Sequence, residues 1–221
     1  MNTKKEFLDL GKQPIANAHR LQKEYRPSNV LEIGSNDGIF IRHFNPSTTI
    51  AVEPCKNFAD MTNDMEYKTY SEFWTSKLST LIKQEHGTMD LIKAVRNLLS
   101  EDGIFVFEDP SLIFMMERGS YDQLYDEHAH IFSVTALQNI LTKNGLEIFR
   151  VDNLSVHGGS NRIYVKAISN RYQEIESSVG YNLSKENEFG LNDFKTYQIF
   201  SDRVKKSKED LVSILKKLKQ D

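Results

Sequence analysis

The chain has 221 residues, 39% of them hydrophobic and 27% charged, which is ordinary usage for a folded protein with a substantial core. Its 28 basic and 31 acidic residues leave a net charge of −3, so there is no electrostatic reason to expect nucleic acid or an anionic membrane as a partner. A single cysteine, Cys55, excludes a disulfide within the chain and a cysteine-built zinc site; with no leader-like N-terminus and no membrane-length apolar run, a cytoplasmic setting is expected.

Residues 1–26 read as a polar N-terminal segment with a helix over Ala16–Tyr25. Asn29–Ile33 is a short β-rich run that stops at Gly34, and Ile39–Phe44 has the look of the first turns of a helix. A second strand, Thr49–Glu53, is closed by Pro54 and followed by a helical segment from Asn57. Met89–Ile92 is a weak third strand, Lys93–Leu99 a helix, and Ile104–Glu108 a clear buried strand. Strands alternating with helices predict a mostly parallel sheet covered on both faces.

Beyond Pro110 the pattern changes. Ser133–Asn144 reads as a capped helix ended by Gly145, with strands at Leu146–Val151 and Arg162–Ala167. This ending, a helix followed by two strands, resembles that of Rossmann-like methyltransferases, which implies a last strand inserted antiparallel beside the one before it. From residue 169 the chain is a polar helical extension, and Lys205–Gln220 is an amphipathic helix with Leu211, Ile214, Leu215 and Leu218 on one side, expected to dock by that face.

Glu32-Ile33-Gly34-Ser35-Asn36-Asp37-Gly38 is the most informative stretch. Gly34 lets the chain turn tightly at a strand end and approach a ligand, in the crevice where parallel sheets bind them. Asn36 stands where a dinucleotide fingerprint has its second glycine, and the loop has no Gly-Lys-Ser/Thr phosphate cradle. Both points argue for a ligand without a pyrophosphate. Glu53, about 20 residues beyond Glu32, stands where an acid can accept both ribose hydroxyls. The candidate cofactor set is Glu32, Gly34, Ser35, Asn36, Asp37, Gly38, Glu53 and Pro54. The plainer alternative makes Gly34 and Gly38 turn residues and Glu53 a surface acid.

Tyr121–Ser133 concentrates titratable groups beyond the strand Ile104–Glu108. His128 can serve as a base near neutral pH, Glu127 can orient it, and Tyr125 can donate to a developing oxyanion. Zinc on His128 and His130 competes with this reading, but no third ligand is evident, and we expect no metal. Between the last two strands, His157, Ser160 and Asn161 are candidate substrate contacts, although Gly158 and Gly159 are explained by a tight connection alone.

Taken together, Leu31–Gly38, Phe107-Glu108-Asp109-Pro110, Tyr125-x-Glu127-His128-x-x-x-Phe132-Ser133, His157-Gly158-Gly159-Ser160 and Asp9–Asn17 resemble the sugar C-methyltransferases of deoxysugar pathways. The resemblance touches most of residues 7–167 in separate blocks. It implies a Rossmann-like class I methyltransferase fold of α/β type over residues 27–168, with a mostly parallel sheet and an antiparallel last strand. It also implies S-adenosylmethionine as cofactor, a nucleotide-linked ketosugar as acceptor, and Tyr125, Glu127 and His128 as the catalytic group. Asp126 replaces a family histidine. Three family parts are expected to be missing: the four-cysteine zinc domain, a block between Ile92 and Lys93, and the C-terminal αβ domain. A reduced protein that binds the cofactor without catalysis, and a small-molecule O- or N-methyltransferase, are the competing functions.

Overall fold

The computed structural model describes residues 15–75, 78, 91–124 and 130–219. The chain divides into two compact units, Met1–Leu91 and Ile92–Asp221.

The first unit opens with α1 (Ile15–Tyr25) and continues with β1 (Val30–Ile33), β2 (Thr49–Val52), α2 (Lys56–Asp64) and β3 (Lys68–Tyr70). The three strands form one parallel sheet in the order β1-β2-β3, with Ile33 opposite Val52 and Val52 opposite Tyr70. This register brings the carboxyl ends of the strands level, so the loops that leave them share one edge. Ile41, Ala51 and Tyr67 form the buried cluster, and the Tyr67 hydroxyl donates to the carbonyls of Ile41 (2.9 Å) and Phe44 (3.0 Å). β3 was not foreseen: three residues, Lys68-Thr69-Tyr70, carry too little apolar pattern. The helix expected over Ile39–Phe44 is only a 3₁₀ turn, Ile41–His43. Pro46 explains the stop, because a proline pushes the residue before it out of helical geometry, and Asn45 is extended (φ −71°, ψ 122°).

Helix α3 (Leu91–Leu98) starts on the last residue of the first unit, and the second unit continues with β4 (Ile104–Pro110), α4 (Leu112–Arg118), α5 (Val134–Thr142), β5 (Leu146–Leu154) and β6 (Ser160–Ala167). Leu91 and Ile92, expected in a strand, open the α3 helix instead; Met89 and Asp90 lie outside the described residues. β6 runs antiparallel between β4 and β5, as the sequence pattern predicted for the last strand. The described strands make two three-stranded sheets, one parallel and one antiparallel. Val134, Leu137 and Leu141 of α5 pack with Ile148, Val151, Ile163 and Val165 as the main core. Ser133 caps α5, accepting the Ala136 amide at 3.0 Å, and Gly145 takes the left-handed conformation that ends it.

Two helices close this unit, α6 (Ser177–Phe189) and α7 (Phe194–Leu218). The buried Glu186 of α6 accepts the amides of Val134 (2.6 Å) and Thr135 (2.8 Å), placing a carboxylate at the N-terminus of α5. Phe200 of α7 packs against the cluster of Ile113, Met115 and Met116, and Arg203 donates to the Met116 carbonyl at 2.9 Å. The far half of α7 departs from expectation: Leu211, Ile214, Leu215 and Leu218 are all more than half exposed, so the face expected to dock is open among the described residues. No described helix is long and apolar enough to cross a membrane.

Candidate cofactor site

All eight residues of the candidate cofactor set lie in the first unit: Glu32 in β1, Gly34 to Gly38 on the loop leaving it, and Glu53 and Pro54 just after β2. The loop is built from left-handed residues: Gly34 at φ +75°, Asn36 at φ +48° and Gly38 at φ +74°. A side chain strains this conformation, which glycine adopts freely and asparagine tolerates. The two glycines serve different ends. A Cβ on Gly38 would lie 3.0 Å from the Thr62 methyl and 3.3 Å from the Met65 sulfur, so its reason is packing against α2. A Cβ on Gly34 would meet nothing within 4 Å. There the bare backbone borders open space.

Glu53 holds the loop to the sheet. It is 6% exposed, and a buried carboxylate needs donors. Its Oε2 accepts the Asn36 amide and its Oε1 the Cys55 amide, both at 2.8 Å. Each oxygen keeps a further acceptor site, the capacity that a pair of ribose hydroxyls requires. Asp37 accepts the Ile39 amide at 3.2 Å and is exposed. Pro54 is exposed beside Glu53.

Two polar atoms, Glu32 Oε2 in β1 and Ser35 Oγ on the loop, are buried without a hydrogen-bond partner among the described residues. Burial, followed by repulsion from Asp37 and Glu53, pushes the Glu32 carboxyl up to about 8. Orphaned polar atoms and open space at a strand end fit a ligand that presents polar groups of its own.

The catalytic candidates Tyr125, Glu127 and His128 lie outside the described residues. On their flank, His130 stacks on Phe132 with ring centroids 5.9 Å apart. Ser160 and Asn161, expected in a connecting loop, are buried at the start of β6. The Ser160 hydroxyl donates to the Val156 carbonyl at 3.3 Å. Asn161 donates to Ser111 Oγ and accepts from Asn153, whose amide also meets Asn182 at 2.9 Å. No sequence spacing signals this network, because Asn182 comes from a polar helix far along the chain. Before β6, Gly158 and Gly159 are both left-handed, a Cβ on Gly159 would lie 2.6 Å from Phe114, and Arg118 donates to the Gly158 carbonyl. Helix α4 thus grips the turn that carries His157.

Residues 6–151, well over half of the chain, match the methyltransferase domain family. The chain belongs to that family. Residues 155–221 match the C-terminal domain of C-methyltransferases. The expectation that this domain is missing is therefore corrected: residues 155–221, most of which the composition marks as a polar helical extension, match it. C-methyltransferase NovU of Streptomyces niveus is 26% identical over 204 residues, covering 83% of this chain and 48% of that protein. The chain thus spans about half the length of this relative. Among solved structures, the PH0226 protein of Pyrococcus horikoshii covers 73% of this chain and 94% of its own, at 11% identity and a TM-score of 0.48. Magnesium protoporphyrin IX methyltransferase of Synechocystis, with bound SAH, covers 68% of this chain and 80% of its own, at 14% identity and a TM-score of 0.46.

Proposed function

We propose that the chain binds S-adenosylmethionine and methylates carbon on a nucleotide-linked ketosugar. The observation that carries the cofactor half is the pairing of a left-handed Gly34 beside open space with a Glu53 carboxylate pinned by two loop amides. In this reading Glu53 takes the ribose hydroxyls, the backbone at Gly34 lies against the cofactor, and Glu32 and Ser35 meet its polar tail. Pro54, Asn36, Asp37 and Gly38 shape the same edge. Methylation of carbon is supported by the match to the C-methyltransferase C-terminal domain and by the relative named as a C-methyltransferase. The sugar is supported by the sequence blocks around Tyr125-x-Glu127-His128 and His157-Gly158-Gly159-Ser160.

S-adenosylmethionine, once bound, supplies a methyl group on a positively charged sulfur, so positioning and electrostatics are what the protein adds. His128 removes the acidic proton beside the sugar carbonyl. Glu127 orients that imidazole and stabilises its cation. Tyr125 donates to the oxygen on which negative charge develops. His157 contacts the acceptor, while the buried Ser160 and Asn161 hold the turn that presents it.

Calorimetry with S-adenosylhomocysteine, followed by a methyl-transfer assay against a panel of nucleotide-linked ketosugars, tests this function. Micromolar binding and a new carbon-bound methyl group are expected. Binding without turnover on any ketosugar would remove the enzyme and leave a protein that only holds the cofactor. Methylation at oxygen or nitrogen would remove the carbon base.

A further inference from the structure

We propose that Arg118 and Lys185, both held against the ring of Phe114 beside the His157-Gly158-Gly159 turn, take the diphosphate of a nucleotide-linked acceptor. This assignment rests on the reading of His157 as an acceptor contact and gives the acceptor's charged part its place.

Phe114 of α4 is the common contact. The turn before β6 lies so close to it that a Cβ on Gly159 would come 2.6 Å from the Phe114 Cβ and 2.8 Å from the first ring carbon. The Arg118 guanidinium stands 5.4 Å from the ring centroid, and the Lys185 ammonium of α6 stands 4.5 Å from it, both within cation–π reach. Arg118 also donates to the Gly158 carbonyl. One aromatic side chain thus gathers two cations and the turn that carries His157. A nucleotide-linked sugar bears its diphosphate on the anomeric oxygen, so an acceptor held at His157 brings that negative charge beside the turn. Phosphate leaving water needs charged donors to meet it. Arg118 is exposed, and its bond to Gly158 uses a single N–H, which leaves the rest of the guanidinium fork open to phosphate oxygens. Lys185 is half-buried and paired with Glu117 at 3.3 Å. A partly exposed ion pair contributes little, so a phosphate can displace Glu117. Arg203 of α7, the third cation at the end of α4, is engaged with the carbonyls of Met116 (2.9 Å) and Glu117 (3.2 Å). Glu117 is therefore the group that opposes the ligand, because it holds Lys185 and repels phosphate.

The test is calorimetry of the intact chain with UDP and dTDP, beside uridine and thymidine, with the melting temperature of each variant read alongside. A nucleoside diphosphate should bind, at least about tenfold more tightly than its nucleoside, and added salt should weaken it. Arg118→Ala should weaken the nucleotide about tenfold and Lys185→Ala about threefold. Glu117→Gln, which releases Lys185 and removes a repelling charge, should tighten it about threefold. A role in packing alone would not strengthen binding. Affinity for S-adenosylhomocysteine should match the wild type in all three variants. With a nucleotide-linked ketosugar that is methylated, KM should follow the nucleotide affinity in each variant while kcat stays nearly constant. Nucleotide binding that none of the three substitutions changes would overturn the proposal and leave the acceptor reading in place. Weaker binding in Glu117→Gln would overturn it as well. No nucleotide binding, in a chain that still methylates a nucleotide-linked ketosugar, would remove this subsite alone. Methylation of a sugar without its nucleotide, at an equal KM, would remove the nucleotide-linked acceptor and the subsite with it.

Discussion

The Glu53 carboxylate accepts the backbone amide of Asn36 at 2.8 Å and so joins the end of β2 to the loop after β1. The acid that would hold a ribose is also the clasp that holds the glycine turn in shape. Under the proposed function, ligand recognition and loop geometry are coupled through that single side chain.

Glu53→Ala should damage both. Two amides, of Asn36 and Cys55, lose their acceptor, at a cost of about 1–3 kcal/mol in stability. Affinity for S-adenosylhomocysteine should fall at least tenfold. Glu53→Gln keeps one acceptor oxygen, so it should recover most of the stability and little of the affinity. Thermal unfolding read beside calorimetry separates the two effects.

The glycines should part company. Gly38→Ala meets both backbone strain and the Thr62 methyl, and should cost about 2 kcal/mol or more in stability. Gly34→Ala meets strain alone, about 1 kcal/mol, because nothing lies where its Cβ would go. Its main effect should fall on the ligand, whose path the new methyl would occupy. Comparable melting temperatures for the two variants would contradict this division.

Glu32 gives the fold a pH dependence of known sign. Its carboxyl is raised from the usual 4.5 to about 8 in the folded protein, so between these values the folded state holds a proton that the unfolded state has lost. Its contribution is fully present below about pH 4.5 and is lost as pH rises toward 8. The slope approaches about 1.4 kcal/mol per pH unit at most. Glu32→Gln should flatten the fall in melting temperature between pH 5 and 8; a fall as steep as in the wild type would contradict the assignment.

Glu186 ties the C-terminal helices to the second unit's core. Glu186→Ala removes the acceptor for the amides of Val134 and Thr135 and the charge at the start of α5. A loss of about 2–3 kcal/mol is expected. Denaturant unfolding measures it, and a loss below about 0.5 kcal/mol would show that Ser133 alone suffices as the cap.

For the chemistry, His128→Asn should lower turnover by about 10²–10⁴-fold with cofactor affinity nearly unchanged. Retained turnover would remove the base.

The glycine loop was legible because its information is local: a strand end, two glycines and an acid at a fixed distance encode one turn. The α5 boundaries were legible for the same reason, with Ser133 and Gly145 marking its two ends. β3 was not, since three residues with one aromatic fall below any periodic signal. Nor was the setting of Asn161, which looked like a ligand contact in a glycine-rich connection. It is held by Ser111, just past the end of β4, and by Asn153, its partner across the β5–β6 pairing, neighbours that no reading along the chain can see. The Glu186 cap was hidden likewise, the acid and its helix standing 52 residues apart.

A crystal structure of the chain with S-adenosylhomocysteine is the most direct test of the central claim. The ribose hydroxyls should sit within hydrogen-bond distance of the Glu53 carboxylate, with the ligand's backbone-facing edge over Gly34. A ligand bound elsewhere, or a ribose held by other residues with Glu53 still turned wholly to Asn36 and Cys55, would contradict it.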